Sequence, residues 1–155
     1  AFAAQLQIAA DLCKPVFLHQ RDAHDDFIKT LTPRIQDISG GVAHCFTAGP
    51  AEMHAYLDLG LYIGITGWIC DERRSHDLRE AVKSLPLDRV LVETDAPYLL
   101  PRDLPKKISS RRNEPATLPH ITRTLAEYMQ TDPQELSAAA YRNTIKLFDL
   151  PTIHD

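Results

Sequence analysis

Three side chains that can bind a metal ion stand at the ends of three short apolar segments. The segments are Pro15-Val16-Phe17-Leu18-His19, Gly41-Val42-Ala43-His44 and Val90-Leu91-Val92-Glu93-Thr94-Asp95. Imidazole and carboxylate ligands suit zinc, manganese or iron, and a site richer in carboxylate and water suits magnesium. One histidine at a strand end is more often structural, but His19, His44 and Asp95 at matching positions favour the metal site of a hydrolase.

The elements that must position these groups alternate along the chain. Apolar runs predict strands at 15–19, 41–45, 61–65 and 90–94, and residues at helical spacing lie between them. A helical stripe from Phe2 to Cys13 precedes the first strand, and two further helices are predicted near 118–129 and from 131 to about 148. Alternation of this kind predicts an α/β protein with parallel strands and right-handed crossovers. Residues 1–155 are expected to form a single domain.

Composition narrows the class of protein. The 155 residues are 44% hydrophobic and 25% charged, as in soluble globular domains, and the net charge of −4 argues against a protein that coats nucleic acid. Because the sequence has no apolar run of membrane-spanning length and no leader segment, we expect no membrane association and a cytoplasmic location. Cys13, Cys45 and Cys70 have no close pairing and are interpreted as reduced packing residues.

Side-chain alternation places Glu93 on the same face as Asp95, roughly 6 to 7 Å deeper in the strand. Glu93 is expected to orient a histidine or a water molecule, or to pair with a cation inside a barrel. We favour the first role. The remaining histidines are expected to be surface or packing residues: His24, His54, His76, His120 and His154.

A proline-rich irregular segment, residues 97–119, follows the Asp95 strand and is rich in cations. Such long loops are usually functional. Its basic residues are Arg102, Lys106, Lys107, Arg111 and Arg112. We expect Arg112, and also Arg21 beyond His19, to contact a phosphate backbone, although a solvated charged loop is the common alternative.

Two aromatic residues, Trp68 and Tyr98, follow strands. They are expected either to stack on an unpaired base or to cap the barrel core or a loop, with nothing in the sequence to choose between these roles. The charged run Asp71-Glu72-Arg73-Arg74 predicts the start of a helix.

Several motifs together resemble the TatD family of metal-dependent deoxyribonucleases. The motifs include Pro15-Val16-Phe17-Leu18-His19-Gln20-Arg21-Asp22-Ala23, Ala43-His44-Cys45-Phe46-Thr47, Gly64-Ile65-Thr66-Gly67, Glu93-Thr94-Asp95-Ala96-Pro97-Tyr98, Arg111-Arg112-Asn113-Glu114-Pro115 and Asn143-Thr144-Ile145-Lys146-Leu147-Phe148. They occur throughout the chain and are specific in combination.

The resemblance implies a (β/α)8 TIM barrel of the amidohydrolase kind with one or two divalent ions, magnesium first and zinc or manganese as alternatives. His19 and His44 would be metal ligands, and Asp95 would bind metal and orient the attacking water or accept its proton. The family also takes ligands from a His-x-His-like element and from a glutamate of a middle strand, which have no match here. We therefore expect the C-terminal half of such a barrel, with about four βα units and C-terminal helices.

The resemblance implies a DNase that degrades single-stranded DNA from its 3′ end, with a role in DNA repair. One alternative is a metallohydrolase of the same fold that acts on a small substrate, since a fold does not determine a substrate. Another is a catalytically inert half barrel that self-associates through its exposed strand edges.

Overall fold

Four short strands form one parallel sheet in chain order. The computed structural model describes residues 1–106 and 111–151. The strands are β1 (Val16–Leu18), β2 (Gly41–Ala43), β3 (Tyr62–Ile65) and β4 (Val90–Val92), and each pairs with the next. All four predicted strands are confirmed in place and direction, although each is shorter than predicted. β1 and β4 are the edges of this sheet, as expected for four consecutive βα units.

Helices separate the strands and complete the chain. They are α1 (Phe2–Asp11), α2 (His24–Leu31), α3 (Pro50–Asp58), α4 (His76–Ala81), α5 (Leu118–Met129) and α6 (Pro133–Phe148). The start of α6 follows the predicted capping pattern, because the Asp132 carboxylate accepts hydrogen bonds from the backbone N–H groups of Gln134 and Glu135. Pro133 occupies the first turn, where its missing N–H costs nothing.

The main core lies between the helices and one face of the sheet. Ile63, Ile65 and Val90 point toward it from the strands. The helical residues that meet them are fully or almost fully buried and include Leu31, Met53, Leu78, Leu125 and Leu136. Burial of each such side chain stabilises the fold by about 1.5–3 kcal/mol before entropy is counted.

The opposite face of the sheet carries apolar side chains at first and polar ones toward the carboxyl ends of the strands. Val42, Tyr62 and Leu91 form a small apolar cluster with Leu147, so the end of α6 packs against this face. Phe17 on β1 lies at the margin of the cluster, where its side chain is 57% exposed. Further along the same face, toward the carboxyl ends of the strands, the side chains become polar.

Two predictions about local structure are wrong. Cys13 is exposed in the turn after α1 rather than packed, whereas Cys45 is half-buried and Cys70 is buried. Asp71 does not begin a helix, since α4 starts at His76, and its carboxylate is buried. Among the described residues no helix combines the length and the apolar character that crossing a bilayer would require.

Candidate active site at the carboxyl ends of the strands

His44 lies immediately after β2 and is held between two carboxylates. Its backbone N–H donates to the carbonyl of Leu18, which continues the pairing of β2 with β1. The ring Nδ1 lies 2.8 Å from Oε2 of Glu93, and Nε2 lies 3.4 Å from Oδ1 of Asp95. The imidazole is 14% exposed. Glu93 therefore fixes the ring orientation, and Nε2 faces Asp95.

Glu93 is buried beside β3 and β4. Its backbone N–H donates to the carbonyl of Ile65, and its Oε2 accepts a second hydrogen bond, 3.1 Å long, from the backbone N–H of Cys45. Its other oxygen, Oε1, is buried and has no hydrogen-bond partner among the described residues. The carboxylate fits because Gly64 has no side chain, and a Cβ at that position would overlap it.

The two carboxylates change the acidity of His44. The hydrogen bond to Glu93 raises the pKa of His44 above its usual value, and burial opposes this shift. The negative charges of Glu93 and Asp95 raise the pKa further. The imidazole of His44 therefore binds a proton more strongly than a free histidine does.

His19 and Arg21 follow β1 and line the same cavity as His44 and Asp95. This cavity has a volume of about 900 Å³ and opens at the carboxyl edge of the sheet. The rings of His19 and His44 are 6.1 Å apart between centroids. The Arg21 side chain is largely exposed, with its Nε 4.0 Å from the carboxylate of Asp22. The structure thus brings His19, Arg21, His44 and Asp95 into one concave surface.

Trp68 also lines this cavity and packs partly against the core. The guanidinium of Arg74 lies 4.2 Å from its ring centroid, and the indole N–H donates to the Arg74 carbonyl. Asp71 holds Arg74 in place through a 3.0 Å hydrogen bond. For Tyr98 the side chain is 72% exposed, which excludes the core-capping alternative for that residue.

Arg112 lies apart from the cavity. It is exposed and does not belong to the cavity lining. Its neighbour Asn113 is buried and donates to the carbonyls of Tyr98 and Leu99, which fixes the path of the loop after β4. Arg102, Lys106 and Arg111 are exposed as well. Lys107 and His154 lie outside the described residues.

Sequence reasoning missed a polar network in the cavity wall. Tyr56 on α3 is almost fully buried, and its hydroxyl accepts a 2.9 Å hydrogen bond from the amide of Gln20. His24 Nδ1 lies 3.1 Å from the same hydroxyl, so His24 is a cavity residue rather than a surface one. The Pro15–Ala23 motif contained Gln20, but no spacing in the sequence pointed to Tyr56.

The donors around the cavity suit a divalent cation. Two imidazoles and the partly exposed carboxylate of Asp95 provide nitrogen and oxygen ligands, and Glu93 behind His44 orients one of the imidazoles. The possible ligand atoms of His19, His44 and Asp95 lie farther apart than those of a second group of residues outside the cavity. In the described ranges, only Cys70, Asp103 and His120 place three ligand atoms within 4.8 Å of one another.

Parallel βα units with polar groups at the carboxyl ends of the strands are the arrangement found in β/α barrels. A family model described as TatD related DNase matches residues 1–149, and the chain belongs to this family. The resemblance found in the sequence motifs is therefore confirmed.

Relatives with curated names support the same assignment. The 3′-5′ ssDNA/RNA exonuclease TatD of Citrobacter rodentium is 55% identical over 150 residues, which cover 97% of this chain and 57% of the relative. The protein of the same name from Escherichia coli is 53% identical, with 97% and 58% covered. This chain thus spans little more than half the length of these relatives.

Solved structures confirm the fold. The TatD homolog YjjV from Escherichia coli superposes with a TM-score of 0.84 at 30% identity, covering 95% of this chain and 54% of that one. A hydrolase TatD family protein from Entamoeba histolytica gives a TM-score of 0.81 at 24% identity, covering 94% and 54%. The predicted partial barrel of four βα units is confirmed.

Proposed function

We propose that this chain contributes to the active site of a metal-dependent nuclease that hydrolyses phosphodiester bonds of single-stranded nucleic acid. The supporting observation is His44, held between Glu93 and Asp95 at the carboxyl edge of a parallel sheet, in a cavity shared with His19. The names of the relatives, 3′-5′ ssDNA/RNA exonuclease, support attack from the 3′ end. DNA is the substrate that we favour.

His19, His44 and Asp95 would hold one or two divalent ions, with magnesium the ion in use and zinc or manganese as alternatives. When bound, such an ion neutralises phosphate charge and acidifies a water molecule. Asp95 lies at the cavity surface, where its carboxylate can orient the attacking water or accept its proton. Glu93 acts through His44, because its hydrogen bond sets which ring nitrogen faces the cavity.

Substrate contacts are assigned to three side chains. Arg21 lines the cavity beside His19, where its guanidinium can bind a phosphate. Trp68 offers an aromatic surface at the cavity wall for an unpaired base. Arg112 is exposed on the loop that follows Asp95 and would contact the strand beyond the cavity. A cytoplasmic location, a role in DNA repair and self-association stay predictions.

The test is release of nucleotides from 3′-labelled single-stranded DNA by the purified protein in magnesium. We expect release to stop with a chelator and to fall at least a hundredfold in Asp95→Asn, because the amide can neither accept the proton nor bind metal well. Asp37→Asn is the matched control, since Asp37 is exposed and does not line the cavity.

Equal release by wild type and Asp95→Asn would remove Asp95 from the mechanism. Turnover of a small ester or phosphodiester without cleavage of DNA or RNA would favour the small-substrate metallohydrolase. The assay is repeated with zinc and with manganese, and no release with magnesium, zinc or manganese would favour the catalytically inert half barrel.

A further inference from the structure

Three metal-competent side chains converge outside the cavity. Cys70 ends the short helical turn Gly67–Cys70 after β3, Asp103 lies in the loop after β4, and His120 lies in the first turn of α5. One ligand atom from each residue lies within 4.8 Å of the others. None of the three lines the cavity of His44 and Asp95. They come from three segments that are distant in the sequence, so their convergence is a property of the tertiary fold.

We propose that Cys70, Asp103 and His120 bind a thiophilic divalent cation, zinc being the best match, and that this cation fastens the loop after β4 to α5. Thiolate, imidazole and carboxylate together are ligands that zinc accepts in tetrahedral sites, and magnesium does not select sulfur. Asp103 is exposed, so a water molecule can complete the coordination from the solvent side.

Two of the three ligand groups are already in contact, and the buried thiol beside them experiences the charges of both Asp103 and Arg79. Nε2 of His120 lies 2.6 Å from Oδ1 of Asp103, so these two groups already face each other. Cys70 is 2% exposed, and burial raises the pKa of its thiol to about 12, with the negative charge of Asp103 adding to the shift. A buried thiol beside a carboxylate cannot ionise alone, whereas a bound cation offsets both negative charges and a coordinating thiol is deprotonated outright.

The pair His120 and Asp103 requires only a small adjustment to bind one cation. Two ligands about 2.0–2.1 Å from a tetrahedral zinc are about 3.3 Å apart, so the nitrogen of His120 and the oxygen of Asp103 must separate by less than an ångström. The hydrogen bond between them is then replaced by two bonds to the metal. Binding releases the thiol proton of Cys70.

The neighbouring backbone holds Cys70 firmly. The carbonyl of Ile69, the preceding residue, accepts hydrogen bonds from the hydroxyl of Ser75 and from the guanidinium of Arg79. Arg79 in turn lies over the ring of Tyr128 on α5. The turn and α5 are therefore already fixed relative to each other, and the loop with Asp103 is the part that a cation would fasten.

Cobalt(II) is the probe, because a cobalt–thiolate bond gives a charge-transfer band in the near ultraviolet that nitrogen and oxygen ligands do not give. We expect the purified protein to show this band, which should rise with added cobalt to a plateau and be reversed by zinc. Cys70→Ala should abolish the band. Cys45→Ala and Cys13→Ala should keep it, and Cys45 is the stringent control because its thiol lies near the nuclease cavity.

The ligand variants Asp103→Asn and His120→Gln should each weaken cobalt binding at least tenfold while circular dichroism stays unchanged. These two variants test the metal site even if Cys70→Ala does not fold. Absence of the band in the wild type would overturn the proposal, as would its persistence in Cys70→Ala or its loss in Cys45→Ala. Unchanged affinity in both ligand variants would overturn it as well. Since no nuclease assay is involved, the result is independent of the function proposed above.

Discussion

The carboxylate of Glu93 occupies the space that a side chain at Gly64 would need. Gly64 on β3 faces the carboxyl end of β4, where Glu93 turns inward to bond with His44. A Cβ on Gly64 would overlap the carboxyl group of Glu93. The absence of a side chain at Gly64 therefore leaves room for the Glu93 carboxylate, which can then reach Nδ1 of His44.

Gly64→Ala should displace Glu93 and break its hydrogen bonds to His44 and to the backbone of Cys45. Overpacking of this kind costs about 1–3 kcal/mol, and we expect the free energy of unfolding to fall by that amount. Because the ring of His44 loses its orienting partner, the proposed nuclease activity should fall by more than the loss of stability explains. Urea unfolding and nucleotide release measure the two effects.

Gly49→Ala is the matched control for Gly64→Ala. A methyl group at Gly49 meets only the Cβ of Asp77, at an ordinary 3.8 Å. Its cost should be a fraction of that at Gly64, limited to the preference for glycine over alanine before α3. Equal stability of Gly64→Ala and the wild type would show that Glu93 can leave its position without penalty.

Asp71 stabilises the segment between β3 and α4. Its side chain is 4% exposed and accepts hydrogen bonds from Arg73 and Arg74, and the bonds from Arg73 hold the pKa of Asp71 well below its usual range. Removing a charge-assisted partner from a buried site costs about 1–3 kcal/mol, so Asp71→Asn should lower the free energy of unfolding by that amount at pH 7. Urea titrations of both proteins measure the difference.

The same bonds predict a pH dependence. A carboxylate whose pKa is lowered by folding stabilises the native state above the pKa of the unfolded chain, about 3.9, and loses this contribution as pH falls below it. The difference between wild type and Asp71→Asn should thus be constant above about pH 5 and shrink in stronger acid. Glu80→Gln is the control, because its pair with Lys83 is half exposed and surface ion pairs contribute little to stability. A similar loss in both variants would contradict a special role for Asp71.

Patterns among neighbouring residues predicted the strands and helices of this molecule. They did not predict contacts between residues that are distant in the sequence. The four strands and the start of α6 follow from apolar runs and a capping pattern, which are properties of neighbouring residues. The pairs Gln20 with Tyr56 and His120 with Asp103 join residues 36 and 17 positions apart through loops, whose paths no periodicity encodes. For Asp71 the charged run suggested the start of a helix, but the residue is buried and the two arginines compensate its burial.

Arg112 should contribute to nucleic-acid affinity without contributing to chemistry. If its guanidinium binds one phosphate, Arg112→Ala weakens binding of single-stranded DNA and reduces the slope of log K against log salt by about 0.7. Binding is measured by fluorescence anisotropy at several salt concentrations. Arg142→Ala is the control, since Arg142 is exposed on α6 and does not line the cavity. An unchanged slope in Arg112→Ala would leave Arg112 with a structural role only.

Asn143 connects α6 to the start of β4 by hydrogen bonds, and its replacement should weaken the packing of α6 against the sheet. The buried side-chain amide donates to the carbonyls of Leu87 and Val90, at 2.8 and 2.9 Å. Asn143→Ala leaves both carbonyls without this donor, and we expect the free energy of unfolding to fall by about 2–3 kcal/mol. Thr144→Ala is the neighbouring control, because the Thr144 hydroxyl bonds only the carbonyl of Ala140 within its own helix and alanine favours the helix. If urea unfolding gave equal stability for the two variants, the apolar contacts of α6, such as those of Leu136 and Leu147, would be sufficient to hold the helix.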